Sequence, residues 1–216
     1  MNIIQLQNGF GIHCLQQIEQ AKPSPAAEEV LVKLEAVSLN YVDLLVVKGV
    51  LNPNLSLSYI PVADGAGVVE QVGAEVTAFQ VGDRVTTLFI PNWIGDRPTP
   101  QTVDFTTRTG LGMVPGQLSE YKLFHEQQLI KTPENLSSIE AATLPIAGLT
   151  AWNALRYGNL QADNTVLLHG TGGVSIFALQ FAKAQGARVI ITSSSDEKLA
   201  RTQQLRADFT LNYKTR

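Results

Sequence analysis

The sequence predicts two consecutive folds, a β-rich domain over residues 1–125 and an α/β domain with a parallel sheet over residues 126–216. In the first part, short apolar stretches are separated by glycine and proline; residues 28–38, for example, alternate in the manner of a strand. In the second part, residues 165–192 contain a branched apolar run, a glycine turn, a helical pattern and a second apolar run. Strand, turn, helix and strand in that order are typical of a parallel α/β sheet.

The β-rich part is predicted to contain at least four strands, joined in one place by a long connection. The strands are predicted at residues 28–38, 65–73, 82–89 and 118–124. Residues 90–117 are rich in proline, glycine and polar side chains, with Trp93 as an exception. A connection of this length is more often functional or mobile than decorative.

The second part begins with helix signals. Ser137 and Glu140 have the spacing of a capping box, and the apolar helical segment 143–155 is interrupted at Pro145. The run at 165–168 is expected to be a fully buried strand. Gly186 is expected to end the helix before the second strand, 187–192. Further elements are a helix capped by Ser194 and Glu197 that runs to about Leu205, and a strand at 207–212.

The turn at 170–173 lies where a dinucleotide diphosphate would bind. Glycine lets the backbone approach the phosphates, and the amides at the start of a helix attract an anion. Gly170 and Gly172 match the first two glycines of the dinucleotide pattern, but Ser175 occupies the third position. The alternative is an ordinary tight turn; we favour the nucleotide site because both flanking strands and the helix are present.

Bulk properties exclude several classes of function. The formal net charge is −3 and no basic run occurs, so neither nucleic acid nor an anionic membrane is an expected partner. No segment resembles a signal peptide or has the length of a membrane span. A single cysteine, Cys14, excludes an internal disulfide and a cysteine-rich zinc lobe. The expected location is the cytoplasm.

The last predicted strand is followed by only four residues, which are too few for another crossover. A doubly wound sheet normally has two halves, so the chain is expected to be a C-terminally truncated form of something longer. One sheet edge would then be uncovered, and its apolar surface would favour aggregation or pairing, for instance as a homodimer.

Several motifs in this order resemble the zinc-free, quinone-oxidoreductase-like branch of the medium-chain dehydrogenases and reductases. They are SLNYVDL (38–44), PVADGAGVV (61–69), VGDRV (81–85), AATLP (141–145), LTAW (149–152), the loop at Gly170, and Asn212 with Tyr213. The resemblance implies a GroES-like β domain followed by a Rossmann domain, with a returning segment and a second Rossmann half that this sequence lacks.

The resemblance also implies that no zinc is bound. The positions matching the zinc ligands of the alcohol dehydrogenase branch are Asn40, Ala63, Asp64 and Ile146, which together offer too few donor atoms. The histidines lack metal-ligand spacing; they are His13, His125 and His169.

Hydride transfer without a metal needs an easily reduced acceptor or hydrogen bonds that polarise it. Asn40 and Tyr41 are the candidate catalytic residues near nicotinamide and substrate; the alternative for Tyr41 is a half-buried packing role. Asp43 and Asp64 are expected to fix local backbone rather than act as acids. Tyr59 and Trp93 are candidates for the substrate pocket, with packing as the alternative for both.

The candidate cofactor-binding residues are Thr150, Gly170, Thr171, Gly172, Gly173, Val174, Ser193, Ser194, Lys198 and Tyr213. For Thr150 the alternative is a hydroxyl that bonds back into its own helix. Hydroxyls after the second strand, with Lys198 and Arg201 in the next helix, favour a 2′-phosphate, so NADP(H) is preferred and NAD(H) is the alternative. Asp196 is expected in the first turn of that helix, where a negative charge interacts favourably with the helix dipole. The alternative to cofactor binding for Lys198 is an ordinary solvated lysine on the helix surface.

The predicted function is therefore NADPH-dependent hydride transfer to quinones, α,β-unsaturated carbonyls or related aldehydes and ketones, without zinc. The alternative is a truncated, non-catalytic nucleotide-binding or structural protein.

Overall fold

A computed structural model describes residues 1–91, 93 and 100–215. The chain divides into two compact units, Met1–Ile146 and Ala147–Arg216. This division lies later than the predicted boundary at residue 125, because a strand at Leu129–Lys131 pairs with a strand at Arg84–Thr87 and so belongs to the first unit.

The first unit is built mainly of antiparallel strands. They are β1 (Asn2–Leu6), β2 (Leu15–Glu19), β3 (Glu29–Ser38), β4 (Asp64–Val72), β5 (Arg84–Thr87), β6 (Tyr121–His125) and β7 (Leu129–Lys131). Strands β1 and β2 form a hairpin, and the other five form a sheet in the order β6-β3-β4-β5-β7. All four predicted strands of this part are present. Valines at alternate positions, such as Val30 and Val32, pack with Phe124 and Leu129 in the core of the sheet.

Short helices interrupt these strands. They are α1 (Tyr41–Val47), α2 (Pro100–Val103), α3 (Ser138–Ala141) and three 3₁₀ turns at Ile12–Cys14, Phe105–Thr107 and Glu126–Gln128. The predicted capping box is confirmed, because the Ser137 hydroxyl accepts from the amide of Glu140 and the Glu140 carboxylate accepts from the amide of Ser137. The long predicted connection, 90–117, contains α2; its residues 94–99 lie outside the described part of the chain.

The second unit has the predicted parallel sheet. One π-helical turn, Leu144–Gly148, precedes α4 (Leu149–Tyr157), in agreement with the predicted interruption at Pro145. The remaining elements are β8 (Thr165–Leu168), α5 (Gly173–Ala184), β9 (Arg188–Ser193), α6 (Asp196–Gln204) and β10 (Phe209–Asn212). The strands are parallel in the order β10-β9-β8. Leu179 and Ala182 of α5 pack on Val189 and Ile191 of β9.

Two predictions for this unit were wrong in detail. Strand β8 is not fully buried: Leu167 is 51% exposed, because it points to the face of the sheet opposite to Val166 and Leu168, which pack in the core. The cap of α6 is Ser195 and not Ser194, since the Ser195 hydroxyl accepts from the amide of Lys198. No helix in the described ranges is both long enough and apolar enough to cross a bilayer.

Candidate functional site

The turn between β8 and α5 presents unpaired backbone amides. The first intrahelical bond of α5 runs from the amide of Ile176 to the carbonyl of Gly172, at 3.0 Å. The amides of Gly173, Val174 and Ser175 come before it and have no acceptor among the described residues. Orphan donors at the start of a helix, together with the helix dipole, form a site for an anion such as a diphosphate.

The glycines of this turn have different roles. Gly170 has φ +79°, a conformation that favours glycine, and a Cβ added to Gly170 or to Gly172 would meet no heavy atom of the described residues within 4 Å. A Cβ added to Gly173 would lie 3.3 Å from Cβ of Ala147, so Gly173 permits close packing within the unit. The space beside Gly170 and Gly172 is open, as an approaching ligand requires.

Ser175, which occupies the position of the third glycine, has a structural role that the sequence pattern did not reveal. Its hydroxyl donates to the carbonyl of His169 at 2.9 Å. This contact ties the first turn of α5 to the end of β8 and leaves the amide of Ser175 unpaired.

Hydroxyl groups hold the turn against the end of β9. Thr171 Oγ1 lies 3.2 Å from Ser193 Oγ, and the amide of Gly170 donates to Thr192 Oγ1 at 3.3 Å. The Ser193 hydroxyl also accepts from the amide of Ser195. Thr171 and Ser193 were predicted site residues, whereas Thr192 was not singled out. Since β8 and β9 are parallel neighbours, their carboxyl ends bring these groups together.

The charged side chains of α6 differ in whether they form ion pairs or hydrogen bonds. Arg201 forms an ion pair with Glu197 at 2.7 Å, and Asp196 accepts from the side-chain amide of Asn212 at 2.7 Å. Lys198 is exposed and makes no ion pair within the described part of the chain. Asp196 is therefore held by Asn212 in the first turn of α6, where the helix dipole favours a carboxylate, while Lys198 is free to contact an anion.

Four further predicted cofactor residues are exposed. Ser194 follows β9, and Tyr213 follows β10, where its amide donates to the carbonyl of Ser193 at 3.1 Å. Thr150 lies in the first turn of α4, and its hydroxyl bonds to none of the described residues, so it does not bond back into its own helix. Val174 is exposed at the start of α5.

A separate polar cluster lies in the first unit, around the carboxyl group of Asp64. Its Oδ2 accepts from Nδ2 of Asn40 at 2.9 Å and from the amide of Ile146 at 3.2 Å. Asp43 accepts from the amides of Asn40 at 2.7 Å and Ala63 at 3.1 Å. Both aspartates fix backbone, as the sequence predicted, and Asp64 also holds the side chain of Asn40.

Burial controls the ionisation of both aspartates. Asp64 is completely buried, and burial raises its pKa to about 7, against the lowering effect of the bonds from Asn40 and Ile146. The nearby charge of Asp43 raises the pKa of Asp64 further. Burial likewise raises the pKa of Asp43, while its bonds from Asn40 and Ala63 lower it. Asp64 Oδ1 is buried without a hydrogen-bond partner among the described residues.

The aromatic candidates are placed differently. Tyr41, the first residue of α1, is 76% exposed, so the half-buried alternative does not describe it. Tyr59 is 5% exposed; its hydroxyl donates to the carbonyl of Val114 at 2.7 Å and accepts from the amide of Gly112 at 3.0 Å. These contacts agree with the packing alternative given for Tyr59. Trp93 is exposed.

The positions matched to zinc ligands, Asn40, Ala63, Asp64 and Ile146, carry few metal-donor atoms in their side chains. Ala63 has no donor atom in its side chain, and the amide of Ile146 is directed to Asp64. Among these residues, no group of three or more histidine, cysteine, aspartate or glutamate side chains could hold a metal ion. A zinc site needs three or four such ligands.

A parallel sheet with a glycine turn at the start of a helix is the arrangement of dinucleotide-binding domains, and here it follows an antiparallel β unit in the chain. Comparison with known families agrees: the profile "Alcohol dehydrogenase GroES-like domain" matches residues 26–134, and "Zinc-binding dehydrogenase" matches residues 173–216. The chain belongs to this family of medium-chain dehydrogenases and reductases, which are oxidoreductases.

Individual relatives are similar along most of this chain. A zinc-type alcohol dehydrogenase-like protein of Schizosaccharomyces pombe is 47% identical over 86% of this chain and 54% of its own length. The crystal structure of a putative alcohol dehydrogenase from Sinorhizobium meliloti superposes with a TM-score of 0.89 and 42% identity, over 100% of this chain and 64% of that one. The quinone oxidoreductase of Escherichia coli complexed with NADPH gives a TM-score of 0.79 and 26% identity, over 100% and 60%. The chain spans 54–62% of the length of the first curated relatives that it matches.

Proposed function

We propose that the second unit binds a pyridine nucleotide with its diphosphate on the amides of Gly173, Val174 and Ser175. The observation that carries this proposal is the open turn: three amides without acceptors in the described part of the chain, and two glycines beside which that part leaves free space. Charge-assisted bonds from backbone amides are among the stronger hydrogen bonds that a protein makes. Thr171 and Ser193 support the turn by joining the ends of β8 and β9.

NADPH is the proposed nucleotide, with NADH as the alternative. Support comes from Lys198, which is exposed and without an ion pair among the described residues, and from the exposed hydroxyl of Ser194. A cation and hydroxyls suit a 2′-phosphate, and the carboxylate of Asp196 is held by Asn212. A quinone oxidoreductase with a similar fold is known in complex with NADPH.

The proposed reaction is reduction of a quinone, an α,β-unsaturated carbonyl or a related aldehyde or ketone, without zinc. The nucleotide supplies the hydride, and the protein binds and orients the two reactants. Asn40 and the exposed hydroxyl of Tyr41 are the proposed contacts to nicotinamide and substrate; Tyr41 would donate a hydrogen bond or a proton to the developing oxyanion. The zinc-free assignment is supported by the surroundings of Asp64, where two N–H groups donate hydrogen bonds to Oδ2 of the carboxylate.

The test is NADPH binding to the chain, followed by NADPH oxidation with a panel of small quinones and enones, with and without a chelator. We expect binding, and turnover that the chelator does not change. Chelator-sensitive turnover would contradict the zinc-free assignment, and the absence of NADPH binding would contradict the nucleotide site.

The second candidate is nucleotide binding without catalysis. The exposed edge of β8, with Leu167 half uncovered, favours it, because the sheet formed by the described residues ends at that strand. The same assay separates the two candidates: the second predicts NADPH binding with no consumption of NADPH by any acceptor.

A further inference from the structure

The carboxyl group of Asp64 is half satisfied although it is completely buried. Oδ2 accepts two N–H groups, whereas Oδ1 has no partner among the described residues. An ionised carboxylate with one unpaired oxygen is costly to bury, and protonation lowers that cost. Among the described residues, the titratable group that acts on Asp64 is Asp43 of α1, whose negative charge also opposes the ionisation of Asp64.

Three distant parts of the chain meet at Oδ2 of Asp64. Asn40 precedes α1, Asp64 begins β4, and Ile146 lies in the π-helical turn Leu144–Gly148. These residues stand at positions that match the zinc ligands of the alcohol dehydrogenase branch, whereas the sequence itself resembles the zinc-free branch. Here a carboxyl oxygen joins the segments, and both donors are amides.

The carboxyl oxygen also decides the orientation of the Asn40 side chain. A carboxamide has one end that donates and one that accepts, and only Nδ2 can donate to Oδ2 of Asp64. The backbone of Asn40 is held independently, because its amide donates to Asp43 at 2.7 Å. The Asn40 side chain also takes part in a capping box with Asp43, so loss of the Asp64 acceptor would remove one of its two restraints while the start of α1 stays anchored.

We propose that Asp64 is a positioning residue that fixes the carboxamide of Asn40 by a hydrogen bond, in place of a metal ion, for the proposed hydride transfer. This inference rests on the proposed function, in which Asn40 contacts the nicotinamide and substrate. Asp64 itself touches neither reactant and acts through Asn40.

The experiment compares Asp64→Asn with Asp64→Leu in the full chain. The side-chain oxygen of an asparagine can still accept from Asn40, whereas leucine has a similar volume and no acceptor. We expect hydrogen exchange of the Asn40 side-chain amide, followed by NMR, to be about tenfold faster with leucine and nearly unchanged with asparagine. In the NADPH-oxidation assay, kcat should fall about tenfold with leucine and recover with asparagine, while the KM for NADPH stays constant.

A measurement on the unaltered protein keeps the test valid if the leucine variant does not fold. The side-chain NMR signals of Asn40 should shift with pH, with the same midpoint as the carboxyl carbon of Asp64. Signals of Asn40 that stay constant while Asp64 titrates would overturn the inference. So would stoichiometric binding of added Zn²⁺ that Asp64→Asn abolishes.

A separate measurement tests the proposed function independently of the positioning role of Asp64. NADPH binding is measured on the same samples and depends on the turn at Gly172, not on Asp64. If NADPH does not bind but Asn40 follows the titration of Asp64, the proposed function is overturned and the positioning contact is supported.

Discussion

The glycine turn of the second unit and the Asp64 cluster of the first are polar sites built in opposite ways. The turn is made of backbone amides from consecutive residues, lies open, and keeps its donors unpaired. The cluster is made mainly of side chains from residues far apart in sequence, is buried, and uses most of its polar atoms internally. A site of the first kind is ready for a ligand, whereas a site of the second kind holds the protein's own groups in place.

The difference predicts where substitutions will have their effects. Changes in the turn should alter ligand affinity and leave the free energy of unfolding nearly constant. Changes in the buried groups of the first unit should alter stability and its pH dependence and leave nucleotide affinity constant.

The largest expected effect is on the pH dependence of stability in Asp64→Asn. Above pH ~4 the unfolded chain has lost a proton that the native carboxyl, with a pKa of about 7, still holds. The contribution of Asp64 to stability is therefore complete below pH ~4, falls by about 1.4 kcal/mol per pH unit as pH rises, and levels off near pH 7. Asp64→Asn lacks this slope.

Urea unfolding at a series of pH values measures the difference between the two proteins. Asp83→Asn is the control, because the pKa of the partly buried Asp83 is lowered by the bond from the amide of Gln80, which gives the opposite sign. Parallel stability curves for the wild type and Asp64→Asn would show that Asp64 is ionised in the native state throughout this range.

In the turn, Gly172→Leu should weaken NADPH binding about 100-fold, because a side chain there occupies the open space and prevents about two charge-assisted bonds. The free energy of unfolding should fall by no more than about 1 kcal/mol, as expected for a poorer helix cap. Fluorescence titration with NADPH gives the affinity. Gln180→Leu places the same side chain on the exposed surface of α5 and should bind NADPH normally; equal affinities for both variants would rule out the turn as the diphosphate site.

Tyr59→Phe should lower the free energy of unfolding by about 1–3 kcal/mol, since it removes the bond to Val114 and leaves the amide of Gly112 without its acceptor. NADPH affinity should not change. Tyr157, which is 90% exposed, provides the control Tyr157→Phe, for which we expect no loss of stability. A Tyr59→Phe protein that is fully stable but has a raised KM for quinones would instead support the predicted pocket role of Tyr59.

The smallest effect is expected at Lys198. Lys198→Gln should weaken NADPH binding about tenfold and leave NADH binding unchanged, because only NADPH carries the 2′-phosphate. Arg201→Gln is the matched control, since Arg201 is already paired with Glu197. An equal loss for both nucleotides, or a larger loss in Arg201→Gln, would place the 2′-phosphate elsewhere.

The same difference explains what the sequence could predict. The turn was predictable because its residues are consecutive and follow a known spacing; even so, the bond from Ser175 to His169 has no signature in that spacing. Asn40 and Asp64 could be named individually, but the contact between them joins residues 24 positions apart, and the contact to Ile146 spans 82. Tertiary packing decides such contacts, and periodicity carries no information about them.

The burial of individual strand residues also could not be predicted from the local sequence pattern. Strand β8 has the composition of an interior strand, yet the exposure of Leu167 depends on which elements cover each face of the sheet. The one-residue error in the cap of α6 has a similar origin, because Ser194 and Ser195 both suit a cap and the path of the chain after β9 decides between them.

The π-helical turn has one more implication, through Ile146. A wider helical turn leaves its first amides without intrahelical acceptors, and one of these donates to Asp64. Since the donor belongs to the main chain, every residue type except proline supplies it. The second bond to the carboxyl group in β4 therefore does not depend on the chemistry of the side chain at position 146.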